Sequence, residues 1–497
     1  MTHVVDDKTE PHRWAVLALL GLAQLMVVLD TTIVNIALPS AQRALHFSTD
    51  SRQWIITAYA LAFGSLLLLG GKLGDLFGRK WTFIAGLLGF SLASAAGGLS
   101  QSFAMLVSAR TLQGVFGALL APSALSLLTV TFADSPDRPK AFGIFSAIAA
   151  GGASVGLLLG GVLTQALSWR WCLYVNLAIA VPAGLIALRL LVNDRDPERP
   201  RLDLPGVLVA SAGLFALVYG FSNAATHSWT AAGTVVALVI SPVLLIIFVI
   251  IERRTQYPLL PLPVVWDRGR GGAYTSIALT GAGVFAVFLF LTFYMQQNLG
   301  FSALATGLAF LPMTAAIAVT SITVQTRLLP LTGAKPIIVT GMTLGIVAMV
   351  VFTRLTPGAA YASRILPGLI LMGIGMGSIF GPSFATATLG VNANQAGVAS
   401  AMANTSQQIG GSVGTALLST LFASAAAGYA AHHAHVPGLG DVAMVHGYTT
   451  AFWWAAGIFA VGLLLALLIL PTKATRHRVG ARSSRGRRRV LGPEPDA

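Results

Sequence analysis

Two side chains that lipid penalises stand at matched depth in this sequence. Asp30 is the only acid inside any of its long apolar runs, and Arg110 is the only base placed well inside one. A charged side chain at the centre of a bilayer costs at least ~2.5–3.5 kcal/mol, so each needs a partner or a task. At about 1.5 Å per helical residue, Asp30 lies about 12 Å from the outer end of the first run and Arg110 about 9 Å from the outer end of the fourth. Two kinds of chemistry fit. A static ion pair would fix helix packing. Alternatively, a movement that changes their separation would switch the carboxylate between a paired and a protonated form. The residues leave both open, and proton coupling is the reading carried forward.

A second charged group follows the second run, in Gly71-Lys72-Leu73-Gly74-Asp75-Leu76-Phe77-Gly78-Arg79-Lys80. Asp75 and Arg79 are four apart and share a face on a helical turn. Gly71, Gly74 and Gly78 leave room for a neighbouring helix end, whose dipole those charges could grip. A charged topology loop would read the same way. In the fifth run Gly152, Gly156, Gly160 and Gly161 form a stripe suited to close helix packing. Polar or aromatic pocket candidates on central runs are Gln24, Asn35, Gln113, Phe285, Phe288, Tyr294, Gln296, Asn404, Gln407 and Gln408. Broad-specificity sites are mostly apolar with a few such anchors, although packing explains any one of these residues equally well. His432, His433, His435 and His446 could bind zinc or sense pH. An incidental loop cluster is the simpler reading, and no metal site is assigned.

The elements that must position these residues are helices in lipid. The chain has 497 residues, 55% hydrophobic and 10% charged, with a mean hydropathy of +0.77. Soluble domains carry about 25% charged residues, so an all-α polytopic membrane protein is expected. Fourteen apolar runs are long enough to cross about 30 Å of hydrocarbon. The first, from Trp14, is too long for a signal-peptide core and is read as a retained span. A single cysteine, Cys172, excludes an internal disulfide and a Cys-based metal cluster.

Charge placement agrees with this count. Of 31 Lys and Arg, only Arg43, Arg52, Arg170, Arg354 and Arg364 fall opposite the side of the termini, with Arg110 inside a span. That asymmetry puts both termini in the cytoplasm. It also accounts for the net charge of +14 without nucleic acid. The tail from Lys473 to Arg489 is expected to meet anionic lipid headgroups. Charged linkers, 193–201 and 252–270, set spans seven and eight apart as an inserted pair. The expected division is a cytoplasmic 1–13, a six-helix bundle 14–192, an inserted pair with linkers 193–271, a second bundle 272–470 and a basic tail 471–497. Gly117 and Pro122 match Gly377 and Pro382, and Gly78 and Lys80 match Gly333 and Lys335. A repeat of two bundles with a site between them at mid-membrane is a transporter arrangement.

The Gly71–Lys80 segment resembles the signature loop of the major facilitator superfamily, which implies that it locks the cytoplasmic ends of the two bundles in one state. The span-five glycines resemble that family's antiporter motif, which implies packing against the opposite bundle, with Leu157 where the family usually has proline. Asp30 to Pro39, Ser168-Trp169-Arg170-Trp171 with Asn176, Asp203 with Gly206, Gln296 to Pro312 and Gly397 to Gly414 are similar to fourteen-span drug:proton antiporters of the EmrB/QacA type, apart from Gln407 where arginine is common. The resemblance covers about residues 14–425. It implies a monomeric exporter in a bacterial cytoplasmic membrane, driven by protons without a cofactor, that moves hydrophobic or amphipathic drugs. The tenth span has no acid, which favours neutral or monocationic substrates over dications. A dedicated exporter of one metabolite, lipid or self-made antibiotic is the alternative; a non-transporting sensor or scaffold lacks a soluble domain to support it, and an enzyme lacks a ligand cluster.

Overall fold

The computed structural model describes residues 10–47, 49–133, 135–192, 203–256, 258–391, 395–433 and 438–472. Fourteen helices in it are long and apolar enough to cross a membrane. The first eight are α1 (Glu10–Leu45), α2 (Thr49–Phe77), α3 (Arg79–Gly98), α4 (Phe103–Thr131), α5 (Arg138–Ala166), α6 (Trp171–Leu190), α7 (Leu204–Thr226) and α8 (Ala232–Arg254). After a short helix, Leu262–Trp266, come α9 (Arg268–Phe293), α10 (Ala303–Thr323), α11 (Ala334–Phe352), α12 (Leu366–Ala387), α13 (Ala396–His432) and α14 (Leu439–Ile469). No strand occurs among the described residues. Helices are the natural solution, because in hydrocarbon each backbone N–H and C=O must find its partner within the segment.

The helices outrun the apolar segments that specify them. Hydropathy marks only the part crossing hydrocarbon, whereas hydrogen bonding continues into the interface. The Gly71–Phe77 stretch is thus the last turns of α2. The chain breaks at Gly78, whose φ of 93° is left-handed and strained for any residue with a Cβ, and α3 begins at Arg79. Asp75 and Arg79 therefore face each other across a helix break, not along one continuous turn.

Helices α1–α6 pack on one another, as do α9–α14, and the two sets meet through α5 with α10 and through α2 and α4 with α13. The pair α7–α8 packs on itself, and α7 also lies against α2 and α13. The internal repeat is visible in the contacts. A Cβ on Gly117 would come 3.0 Å from the Phe63 ring on α2, and one on Gly377 would come 2.9 Å from the Ile317 carbonyl on α10. Each glycine lets the fourth helix of its set close on the second.

Candidate functional site

The carboxylate of Asp30 is fully buried in a cage built by five helices. Its Oδ2 accepts a bond from Arg110 Nη1 on α4 at 2.5 Å. Its Oδ1 accepts from Gln113 Nε2 at 2.8 Å and from Asn176 Nδ2 on α6 at 2.9 Å. Gln113 also accepts from Arg110 Nη1 through its own Oε1 at 2.7 Å, closing a ring of three side chains. Arg110 sits over the Tyr59 ring of α2, 4.4 Å from its centroid, and donates through Nε to the Ile55 carbonyl at 3.4 Å. A desolvated cation over an aromatic face gains up to ~2 kcal/mol. Asn176 Nδ2 also reaches Ser94 Oγ on α3 at 2.9 Å.

The pair expected from depth is therefore an ion pair, held as well by neutral donors that depth alone does not reveal. Tyr59 and Ser94 carry no sequence signal beyond being polar residues in apolar spans; Asn176 is marked only by a motif resemblance. Charge-assisted bonds of this kind contribute ~1.5–3 kcal/mol each, which offsets the cost of burying both charges. Chemically the cage can hold Asp30 ionised against Arg110. It would lose that hold if a proton neutralised the acid. A void of about 10 Å³ borders Arg110, walled by Val34, Leu38, Ile55, Leu106 and Trp169 among others. It is far too small for an organic substrate and at the threshold for one water.

The second charged group sits at the face carrying Glu10 and Ile469, here called the termini face. Asp75 Oδ1 accepts from Arg79 Nη2 at 3.0 Å and from the Gly397 N–H at 3.2 Å, in the first turn of α13. A carboxylate at a helix start also meets the positive end of its dipole. Arg79 is held in turn by Ser126 Oγ of α4, 2.7 Å from its Nε. A Cβ on Gly71 would come 2.6 Å from both the Gly397 carbonyl and the Ala401 side chain. Gly74 faces Ser123 at ordinary contact distance. Nearby, Arg138 Nη2 at the start of α5 reaches Thr388 Oγ1 after α12 at 3.4 Å. The two helix sets are thus bolted together at the termini face.

The α5 glycines correct one expectation. Gly152, Gly156 and Gly160 do not face the opposite set. Added Cβ atoms would come 3.1 Å from Val28, 2.9 Å from the Leu29 carbonyl and 2.9 Å from Ile33, all on α1. The surface that meets α10 is the neighbouring one: Gly143 lies against Ser321 and Gln325, Gly151 against Thr314, and Leu158 against Gly307. A stripe at four-residue spacing addresses one partner only, and here that partner is the segment carrying Asp30. Gly161 is buried beside the stripe, and α5 runs unbroken through Leu157.

The proposed pocket residues do not form one wall. Gln113 belongs to the Asp30 cage. Gln24 is buried on α1. Asn404 bonds back to the Ser400 carbonyl of its own helix at 2.9 Å. Gln407 and Gln408 are half-buried on α13, with Gln408 against Gly64 of α2. Phe288 packs on Phe310 with ring centroids 5.2 Å apart. The Tyr294 hydroxyl donates to the Thr356 carbonyl at 2.7 Å and accepts from the Ala359 N–H at 3.3 Å, so it is spent on tying α9 to the loop after α11. Gln296 lies half-buried on the π-turn that prolongs α9. The side chains of Asn35 and Phe285 lie outside what the structure describes, as do His435, the 193–201 linker and the tail beyond residue 472. A cavity of about 300 Å³ opens at the termini face beside His12, Val16, Arg79, Leu127 and Leu190, and none of the ten candidates lines it. His433 stacks on Tyr429 at 4.1 Å, and His446 leans on the same ring at 4.8 Å.

Residues 20–415 match the Major Facilitator Superfamily profile. The chain is 46% identical over 467 residues to the puromycin resistance protein pur8 of Streptomyces alboniger, covering 93% of this chain and 92% of that protein. It is 40% identical over 415 residues to the cephamycin export protein CmcT of Amycolatopsis lactamdurans, covering 83% and 85%. It is 32% identical over 407 residues to the multidrug resistance protein Stp of Mycobacterium tuberculosis, covering 81% and 75%. Among solved structures it resembles the human organic anion transporter MFSD10 (TETRAN), with a TM-score of 0.60 over 91% of this chain and 99% of that one. At 15% identity that likeness speaks for the fold alone.

Proposed function

Because the chain belongs to the major facilitator superfamily, and so is a membrane transporter and not an enzyme, we propose that it exports hydrophobic or amphipathic compounds in exchange for protons. Its kinship is with the fourteen-span drug:proton antiporters of the EmrB/QacA type. The observation that carries the reading is the buried cage of Asp30, Arg110, Gln113 and Asn176. A carboxylate with no solvent exposure, held by one cation and two amides, would be paired while ionised and released once protonated. Protonation would free Arg110 and loosen α1 from α4 and α6. Through the α5 glycines that seat α1, that loosening would reach the interface with α10. Asp75 and Arg79 would meanwhile hold the termini face shut until Asp30 has taken its proton from the opposite side, and the opened gate would then release that proton at the termini face.

The excess of Lys and Arg on the side of the termini supports a cytoplasmic placement of that face in a bacterial cytoplasmic membrane. The closed gate would then be the cytoplasmic one. Each proton moving down 100 mV supplies about 2.3 kcal/mol. No cofactor is invoked, and the chain is taken to act as a monomer with lipid as its other partner. The absence of any acid from α10 supports neutral or monocationic substrates, which Asp30 could still attend.

A second reading has its own support. Two relatives are named for a single antibiotic each, puromycin and cephamycin, and a third for several drugs. Dedicated export of one antibiotic is therefore a real alternative to broad efflux. A susceptibility panel on a deletion strain separates them, since one affected compound favours dedication and many favour breadth. The coupling itself is tested by efflux from energised vesicles. Asp30→Asn is expected to abolish gradient-driven transport while leaving downhill exchange of substrate. Undiminished gradient-driven transport in that variant would sink the proposal.

A further inference from the structure

The inserted pair α7–α8 is wired into the termini-face gate by a buried charge cluster that neither the Asp30 cage nor the Asp75 contact uses. Lys72 sits one turn before Asp75 on α2 and is buried. Its Nζ donates to the Pro258 carbonyl, 3.1 Å away in the linker after α8. Burying an ammonium against a neutral carbonyl is costly, so the carbonyl must be held in place for it. Glu252, buried in the last turn of α8, does the holding. Its Oε1 accepts the Leu259 N–H and its Oε2 the Leu260 N–H, each at 3.1 Å. Asp203 caps α7 through Gly206 at 3.0 Å. A Cβ on Gly206 would meet both the Asp203 carboxylate and Glu252 Oε1, so the two acids close over the same glycine.

The turn that Glu252 fixes is packed into the gate itself. Leu259 and Leu260 share an apolar cluster with Leu68 of α2, Val207 of α7, and Val398 and Ala401 of α13. Val398 follows Gly397, the residue that Asp75 grips. Helix α2 therefore has two holds at the termini face, one turn apart. Asp75 reaches the start of α13, and Lys72 reaches the linker that packs on that same first turn.

We propose that Lys72, Glu252 and the turn Pro258–Leu260 form a second latch, through which the inserted pair braces the closed gate. Lys72 and Glu252 are positioning residues in it. Movement of the first turn of α13 away from α2 uncovers the apolar seat of Leu259 and Leu260 and returns the Lys72 ammonium to water. The latch rests on the reading of Asp75 and Gly397 as the gate.

Spin labels at Phe77→Cys and Leu389→Cys test it. Both positions are exposed at the termini face on opposite helix sets, while Cys172 is fully buried and stays unlabelled. Lys72→Met and Glu252→Ala are each expected to raise the long-distance, gate-open population roughly ten-fold, the effect of one hydrogen bond to a buried charged group. The combined variant should open no further than the larger single one, since both act on one latch. Glu252→Gln keeps one acceptor oxygen and should fall in between. If Glu252→Ala fails to fold, Lys72→Met, of similar length and apolar, carries the test with Glu252→Gln. Unchanged distances in these variants, alongside an opened gate in Asp75→Asn, overturn the latch and leave the gate reading standing. Unchanged distances in Asp75→Asn as well overturn both.

Discussion

Gly78 and Gly333 turn the chain at the same point in the two helix sets, with φ of 93° and 78°. The lysines two residues on do the same job. Lys80 Nζ donates to the Leu188 carbonyl at 2.7 Å, in the last turn of α6, and Lys335 Nζ to the Leu467 carbonyl at 2.6 Å, in the last turn of α14. The third helix of each set is thus tied to its sixth by one repeated device. The chemistry on that shared backbone then diverges. At the places of Asp75 and Arg79 the second set has Pro330 and Ala334, and Pro330 is exposed where Asp75 is buried. The divergence extends to the whole molecule. Among the described residues every buried acid and base lies on α1–α4 or at the termini-face ends of α7 and α8, while the buried polar groups of α9–α14 are neutral. The repeat carries the architecture, while the buried charges are confined to the first set and the inserted pair.

If the Asp30 cage is only packing, removing both its charges should be harmless. Arg110→Ala leaves Asp30 buried and unpaired and is expected to cost roughly 3–5 kcal/mol, seen as a large fall in thermal unfolding temperature in detergent. Asp30→Asn with Arg110→Met should recover most of that stability but no gradient-driven efflux. Recovered efflux would reduce the cage to a static pair and erase the functional half of the comparison.

The asymmetry of the gate predicts unequal responses at matched positions. Asp75→Asn removes a charge from a helix start and is expected to open the termini face by a factor of about 5–30, for a dipole contact of ~1–2 kcal/mol, read as accessibility of an engineered cysteine on the first turn of α13. Pro330→Asp should leave that accessibility within about two-fold, since an exposed carboxylate there gains little. Equal effects would mean that the two halves lock alike.

The smallest effect concerns the shared backbone. Gly78→Ala and Gly333→Ala each force a Cβ into a left-handed φ, at a cost of roughly 1–2 kcal/mol. Similar losses of unfolding temperature are expected from both. Only Gly78→Ala should also slow efflux, because only there does the break set the ion pair proposed as the gate.

Much of this was legible along single helices. Apolar length specified fourteen spans, matched depth put Asp30 opposite Arg110, and spacing put Asp75 with Arg79. Apolar length and spacing do not carry direction around a helix axis. The glycines of α5 are plain as a stripe, yet whether that stripe meets α10 or α1 depends on how α5 is rotated in its set. The same ambiguity hides Tyr59 and Ser94, and leaves the partner of Asn176 open, until five helices converge on one carboxylate. It left Tyr294 among pocket candidates, although its hydroxyl is tied to a loop.

The sequence by itself determined membrane depth, helix number and which residues could not sit in lipid unpaired, because the cost of burying charge and backbone polarity acts locally on each segment. Only the tertiary structure decided which partners meet those residues. It gave Asp30 a ring of amides as well as its arginine, and it set Lys72 on a carbonyl that Glu252 holds from 180 positions further along the chain. Those choices depend on the azimuth and crossing of whole helices, a property of packing shared among them and written in no single segment.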